Sequence, residues 1–347
     1  MIKPPGFKYA YSHVLALLLI YPHRTNIFHL LTPRPSRLYP EDFDGVVAGS
    51  PPWWLTHLHT WVVQVGKWNL PESGDNRIPA SMFLPIKEEI YRQCDPQDGL
   101  TDGVISAPYS CNFNSSTLAC SSTTSAYCLK PAALATFNTL YSDWRNSSGH
   151  FLFPPFALGA DYYGLASSTT APSAFGTDFV ANMVVNDANW NWTTFDTSVV
   201  TLADELNPGG ANADEFNLGP FRAAGGKLIH YHGMADSLIP TGSSILFREK
   251  VAEAMKGTTA TLNEFYRMFL IPGMGHCRDS SVAPWYIAGG GQAIANSSHS
   301  VPGFSDAQHG MEPRLSVFIP PAFNHVYSRA IPFLPILLFR EDHSVCS

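Results

Sequence analysis

The chain has 347 residues, of which 45% are hydrophobic and only 14% charged, with a net charge of −7. That is enough apolar material for the core of one large domain or two smaller ones, at a charge content well below the roughly 25% usual in soluble domains. The acidic balance excludes the basic stripe that nucleic acid or an anionic membrane requires, and no run reaches the roughly 18 apolar residues of a membrane span.

Taken in chain order, 7–12 reads as a strand, and 13–37 has no steady period. The apolar stretch 14–21 follows Lys3 and Lys8, but it is short and lacks a small-residue cleavage site, so it does not read as a signal peptide. Tyr39-Pro40-Glu41-Asp42 is a turn, and 43–48 is a short apolar run held between Gly45 and Gly49, as in a buried parallel strand. Residues 79–94 have helical spacing, with Met82, Ile86, Ile90 and Tyr91 on one face and Lys87, Glu88, Glu89 and Arg92 opposite. Residues 130–144 read as a second helix, and 145–215 as aromatic, Gly- and Asn-rich and mostly irregular. Regular texture resumes with strand 227–232, helix 242–255 and strand 265–271. The chain is therefore α/β, with 56–215 inserted between a first core segment, 1–55, and a second, 216–309; 310–347 is a patternless tail.

Two strand ends carry titratable side chains. Asp236 follows the run Leu228-Ile229-His230-Tyr231, and His276 follows 266–272 after a Gly-Met-Gly turn. An acid and then a base at the ends of successive strands is their order in α/β-hydrolases, where a serine comes first. The histidine takes the nucleophile's proton, and the carboxylate fixes its tautomer and stabilises the imidazolium. The residues alone leave a second reading open, in which Asp236 caps the next helix and His276 is an ordinary loop residue. His230 and His232 compete as the base, but their place on the strand suits core residues. No Gly-x-Ser-x-Gly elbow precedes the pair. Ser12, Ser50, Ser243 and Ser244 lack its glycines, are followed by proline, or lie beyond the acid.

Residues 94–105, Cys-Asp-Pro-Gln-Asp-Gly-Leu-Thr-Asp-Gly-Val-Ile, place three carboxylates within eight positions around two Asp-Gly turns. Hard oxygen donors in a flexible loop suit Ca²⁺, although two surface turns would read the same way. Six cysteines without a C-x-x-C pair suit disulfides. Cys94 and Cys111 bracket the loop, where a bridge would add about 3 kcal/mol, and Cys120 with Cys128 is the natural second pair. With the acceptor sequons at Asn114, Asn146, Asn191 and Asn296, they favour an extracellular setting.

From about Leu38 to His309 the chain resembles the tannase and fungal feruloyl esterase family of secreted carboxylic ester hydrolases. The resemblance rests on 39–51, the Asp-Gly loop 94–105, His232-Gly233-Met234-Ala235-Asp236, and Gly273-Met274-Gly275-His276-Cys277. It implies an incomplete α/β-hydrolase core with a large inserted lid domain, 56–215. Asp236 would be the acid and His276 the base. Ca²⁺ would be bound by Asp95, Asp98 and Asp102 and by the carbonyls of Leu100 and Val104. The substrate would be a small-molecule or polysaccharide-linked phenolic ester, feruloyl or galloyl, and aromatics such as Tyr162, Tyr163, Trp190 and Trp192 would line its pocket or simply pack. The family's Gly-Cys-Ser-Thr-Gly-Gly nucleophile segment is replaced here by 13–37, and its last amphipathic helix by 310–347. The resemblance therefore implies a misassembled chain without a nucleophile, in which Cys277 has lost its disulfide partner. The alternative is a noncatalytic, calcium-stabilised module that binds phenolic or cell-wall ligands.

Overall fold

A short apolar strand between glycines hides both faces only in the interior of a parallel sheet. The computed structural model describes residues 9–13, 45–121 and 127–276, and there this run becomes β2 (Gly45–Gly49). It lies between β1 (Tyr9–His13) and the strand 227–233, with Tyr9 opposite Gly45 and His13 opposite Gly49. After β2 the chain leaves the sheet through α1 (Leu55–Trp68), α2 (Phe83–Cys94) and α3 (Pro131–Leu140). A small antiparallel pair follows, β3 (Trp144–Arg145) and β4 (Phe151–Phe153). Then come α4 (Tyr163–Ala166), α5 (Ala174–Phe179), α6 (Ser198–Leu206) and α7 (Gly219–Ala223). The chain returns as β5 (Lys227–Gly233), crosses over through α8 (Thr241–Ala254) and α9 (Thr259–Asn263), and ends its described part after β6 (Tyr266–Ile271). The sheet order is β1-β2-β5-β6 and every pairing is parallel.

Among the described residues two apolar cores form. One gathers β2, β5, α7, α8 and α9 around Trp53, Phe221, Leu228, Phe247 and Tyr266. The other lies within the excursion, around Trp61, Ile86, Phe137, Phe153, Phe156 and Tyr162, and takes in Ile239 from beyond β5. Each such side chain contributes about 1.5–3 kcal/mol by leaving water. Trp54 packs against both cores, and the Trp53 indole N–H donates to the Ser243 carbonyl at 2.8 Å.

The sequence reading has no helix at 55–68, yet α1 is the centre of the second core. Eleven of its fourteen residues are buried, among them the polar His57, His59 and Thr60; Leu55, Leu58, Trp61, Val62 and Val65 do recur at helical spacing, a signal the sequence reading passed over. Its start has no side-chain cap. Helix α5 crosses it closely at Gly176, where a Cβ would lie 2.7 Å from the His59 carbonyl oxygen. Residues 145–215, read as mostly irregular, hold three short helices and a π-helical turn, Val180–Val184. Both expected disulfides, Cys94–Cys111 and Cys120–Cys128, are present. Among the described residues no helix is long and apolar enough to cross a membrane. The expectations for 14–37, Cys277, Asn296, Cys346 and 310–347 lie outside the described residues.

Candidate active site

The site is built where β5 and β6 end side by side. Their register runs from Leu228 opposite Tyr266 to Gly233 opposite Ile271. The chain then turns after each strand, and the two turns are stitched together by Met234 N–H to the Ile271 carbonyl and Ala235 N–H to the Met274 carbonyl, both at 2.9 Å. Gly233 permits this contact: a Cβ there would lie 2.2 Å from the carbonyl oxygens of Met274 and Gly275. Gly273 makes the second turn at φ +68°, in the left-handed region that favours glycine.

These turns bring Asp236 and His276 together. His276 Nδ1 lies 2.8 Å from Asp236 Oδ2, with the carboxylate fully buried and the imidazole 15% exposed. The carboxylate accepts, so Nδ1 carries the proton and Nε2 is the basic nitrogen of the neutral ring. Asp236 Oδ1 accepts the backbone N–H groups of Leu238 and Ile239, each at 2.9 Å. Burial alone would raise the Asp236 carboxyl, but the neighbouring His276 and the His232 and His276 hydrogen bonds hold it well below the usual carboxylate range. The helix-cap reading of Asp236 does not hold: α8 starts after Pro240 without a side-chain cap, and Asp236 ties down the loop before it. His230 and His232 are fully buried on β5, with His232 Nε2 3.1 Å from Asp236 Oδ2.

Tyr109 was not singled out by sequence. It comes from the loop held by the Cys94–Cys111 bridge, and its hydroxyl reaches Thr241 and Gly242 at the start of α8, within the field of Asp236. The residue is 47% exposed, but the hydroxyl end is enclosed, which pushes its pKa up to about 12. No local pattern marks it, because only the packing of the excursion onto α8 brings it there. Tyr162 and Tyr163 pack on Phe83 with ring centroids 5.7 and 4.5 Å away, and Trp190 packs edge-on against Phe195. Ser50 follows β2 at φ +42°, fully buried, and its hydroxyl has no hydrogen-bond partner among the described residues.

In the aspartate loop each carboxylate serves the backbone. Asp95 accepts from the N–H groups of Asp102 and Gly103, Asp98 from those of Leu100 and Ser106, and Asp102 from that of Val104. The donors are all oxygen, as Ca²⁺ requires. Yet among the described residues no three His, Cys, Asp or Glu side chains converge as a metal site.

A family model described as tannase and feruloyl esterase matches residues 35–287, well over half of the chain. The chain belongs to the tannase and feruloyl esterase family. The match stops short of His309, where the sequence reading placed its end. "Probable feruloyl esterase B-2" of Aspergillus terreus is 37% identical over 241 residues, 69% of this chain and 46% of that protein. "Feruloyl esterase B" of Aspergillus niger is 34% identical over 255 residues, 73% of this chain and 49% of that protein. The crystal structure of feruloyl esterase B from Aspergillus oryzae superposes with a TM-score of 0.69 at 32% identity, covering 72% of this chain and 51% of that one. Tannin acyl hydrolase from Aspergillus niger shares the fold, with a TM-score of 0.57 at 23% identity over 70% of this chain and 49% of that one. The chain thus spans about half the length of the curated relatives it matches. The fold is that of the family's α/β-hydrolase-like members.

Proposed function

We propose that the chain is built as a carboxylic ester hydrolase for phenolic-acid esters, feruloyl or galloyl, whose Ser-Asp-His mechanism uses Asp236 as acid and His276 as base. The hydrogen bond between them at the ends of neighbouring parallel strands carries this reading. In such a mechanism His276 Nε2 takes the proton of a serine hydroxyl, while Asp236 holds the tautomer and offsets the imidazolium charge. Residues 13–37 stand where the nucleophile segment belongs and contain no Gly-x-Ser-x-Gly. We therefore read the chain as written as catalytically silent, since loss of nucleophile and oxyanion donors forfeits at least several kcal/mol of transition-state stabilisation. Two disulfides and the exposed acceptors Asn114 and Asn191 support an extracellular setting.

Assay of residues 1–347 on methyl ferulate and methyl gallate should detect no turnover above buffer. Turnover that disappears in His276→Ala would overturn the silent reading and keep the acid–base pair; turnover that survives in His276→Ala would remove the pair as well.

Ca²⁺ bound by Asp95, Asp98, Asp102 and the carbonyls of Leu100 and Val104 is part of the same proposal. Its support is the all-oxygen composition of a loop clamped by Cys94–Cys111. It requires the carboxylates to turn from the backbone toward a common centre. The melting temperature should rise with added Ca²⁺ and lose that response in Asp98→Ala and Asp102→Ala. A chelator-insensitive melting curve would dismiss the metal.

A further inference from the structure

Asp236 meets more than its base. A row of fully buried polar side chains runs from inside the sheet to its carboxylate: Tyr266 on β6, His230 on β5, Ser244 on α8 and His232 on β5. His230 Nδ1 lies 2.8 Å from the Tyr266 hydroxyl, and His230 Nε2 lies 2.7 Å from Ser244 Oγ. Ser244 Oγ is also 2.6 Å from His232 Nδ1. His232 Nε2 then faces the Ile239 carbonyl at 2.9 Å and Asp236 Oδ2 at 3.1 Å.

Counting protons assigns a direction to the row. His232 Nε2 faces only acceptors, so it carries a proton. A neutral His232 must then accept at Nδ1, and the donor there is Ser244. A hydroxyl has one proton to give, so Ser244 must receive its other bond from His230 Nε2–H. His230 Nδ1 in turn accepts the proton of Tyr266. All four donors point toward Asp236. Desolvation by burial, with the charge of Arg248 adding to it, pushes the His230 pKa down to about 3, which keeps that ring neutral. Arg248 stands over the Tyr266 ring, 4.7 Å from its centroid, and favours a polarised hydroxyl at the far end.

We propose that Tyr266, His230, Ser244 and His232 form a positioning relay for the acid. The relay holds His232 so that its Nε2–H shares Asp236 Oδ2 with His276 Nδ1–H, while Leu238 and Ile239 N–H groups take Oδ1. Four donors then fix the plane of the carboxylate. Each bond in the row polarises the next, so the far hydroxyl tunes how strongly Asp236 holds the imidazolium of His276. The proposal rests on reading Asp236 and His276 as acid and base.

Nitrogen-15 NMR of residues 1–347, labelled at histidine, tests it without any need for turnover. The unmodified chain should show His230 and His232 both protonated at Nε2 and not at Nδ1 near neutral pH. Tyr266→Phe removes one hydroxyl far from the acid, and Ser244→Ala removes the link. Each should raise the His276 pKa by about half a unit, because a weaker His232 donor leaves more of the carboxylate to His276. Tyr266→Phe should also admit the Nδ1–H tautomer of His230. A proton found on Nδ1 of either buried histidine in the unmodified chain overturns the relay, and that measurement needs no variant to fold. Asp236→Asn separates the two layers. If it leaves the His276 pKa unmoved, the acid–base reading fails. If it lowers that pKa while Tyr266→Phe and Ser244→Ala do nothing, only the relay fails.

Discussion

Asp236 is almost wholly out of water and, among the described residues, has no lysine or arginine beside it; Leu238 and Ile239 N–H groups meet Oδ1, and His276 Nδ1 at 2.8 Å and His232 Nε2 at 3.1 Å meet Oδ2. An ionised carboxylate in such a place survives only when its lone pairs are met. The geometry depends on one hydrogen atom at Gly233, since any Cβ would collide with backbone oxygens of the turn that carries His276. Backbone atoms cannot rotate away as a flexible side chain can. Gly233→Ala should therefore move the two turns apart and destabilise the chain by about 1–3 kcal/mol. Urea unfolding measures the loss, and the His276 titration should lose its dependence on Asp236. An Ala variant of unchanged stability and unchanged His276 titration would refute this account. The strand-end positions of Asp236 and His276 are legible in sequence because turn residues follow each β-like run. The need for glycine at 233 is not legible there, because the backbone it meets, at Met274 and Gly275, is about forty residues away.

At the scale of elements, α1 is held at its start by polar bonds inside an apolar core. His57 Nε2 lies 2.7 Å from Asp204 Oδ2 on α6, His57 Nδ1 lies 2.6 Å from the Leu152 carbonyl on β4, and Thr56 donates to Asp204 Oδ1 at 2.6 Å. Trp54 stacks on the His57 ring at 3.6 Å. Both nitrogens of His57 face acceptors, so Asp204 serves as the ionised partner; burial raises its carboxyl, but the bonds from His57 and Thr56 bring it below its ordinary value. Asp204→Ala leaves a buried imidazole N–H without its acceptor and leaves the Thr56 hydroxyl only the longer bond to Asn212 Oδ1 at 3.4 Å, which should cost about 2 kcal/mol. Thermal and urea unfolding should both show it, and a loss under a few tenths of a kcal/mol would mean that solvent replaces Asp204. The apolar spacing of Leu55, Leu58, Trp61, Val62 and Val65 was there to read as a helix. That its polar face is buried as well was not, because His57 and His59 look like solvent-facing residues until their distant acceptors are known.

For the whole molecule, buried neutral histidines set the acid limit of stability. Burial pushes the His59 pKa down to about 4, against a smaller upward push from its bond to the Phe175 carbonyl, and it pushes His230 down to about 3. Unfolded, each would titrate near 6.5. Below that value the unfolded chain binds protons that the folded chain refuses. The stability present above it is therefore lost as pH falls toward the folded values, by up to about 1.4 kcal/mol per pH unit for each group. Asp236, held low in the fold, adds its own loss only below about pH 4. The melting temperature should fall steadily from about pH 7 to about pH 4.5; a flat profile over that range would show these rings to be solvated. The sequence by itself determined the α/β class, the strand-end placement of Asp236 and His276, the two disulfides and the family, because each is written in a local pattern or a motif. Tertiary structure alone decided that Tyr266, His230, Ser244 and His232 form a row ending at Asp236, that Tyr109 reaches α8, and that α1 is buried on its polar face as well. Such meetings join residues from separate elements, and they depend on how whole faces pack, which no spacing along the chain records.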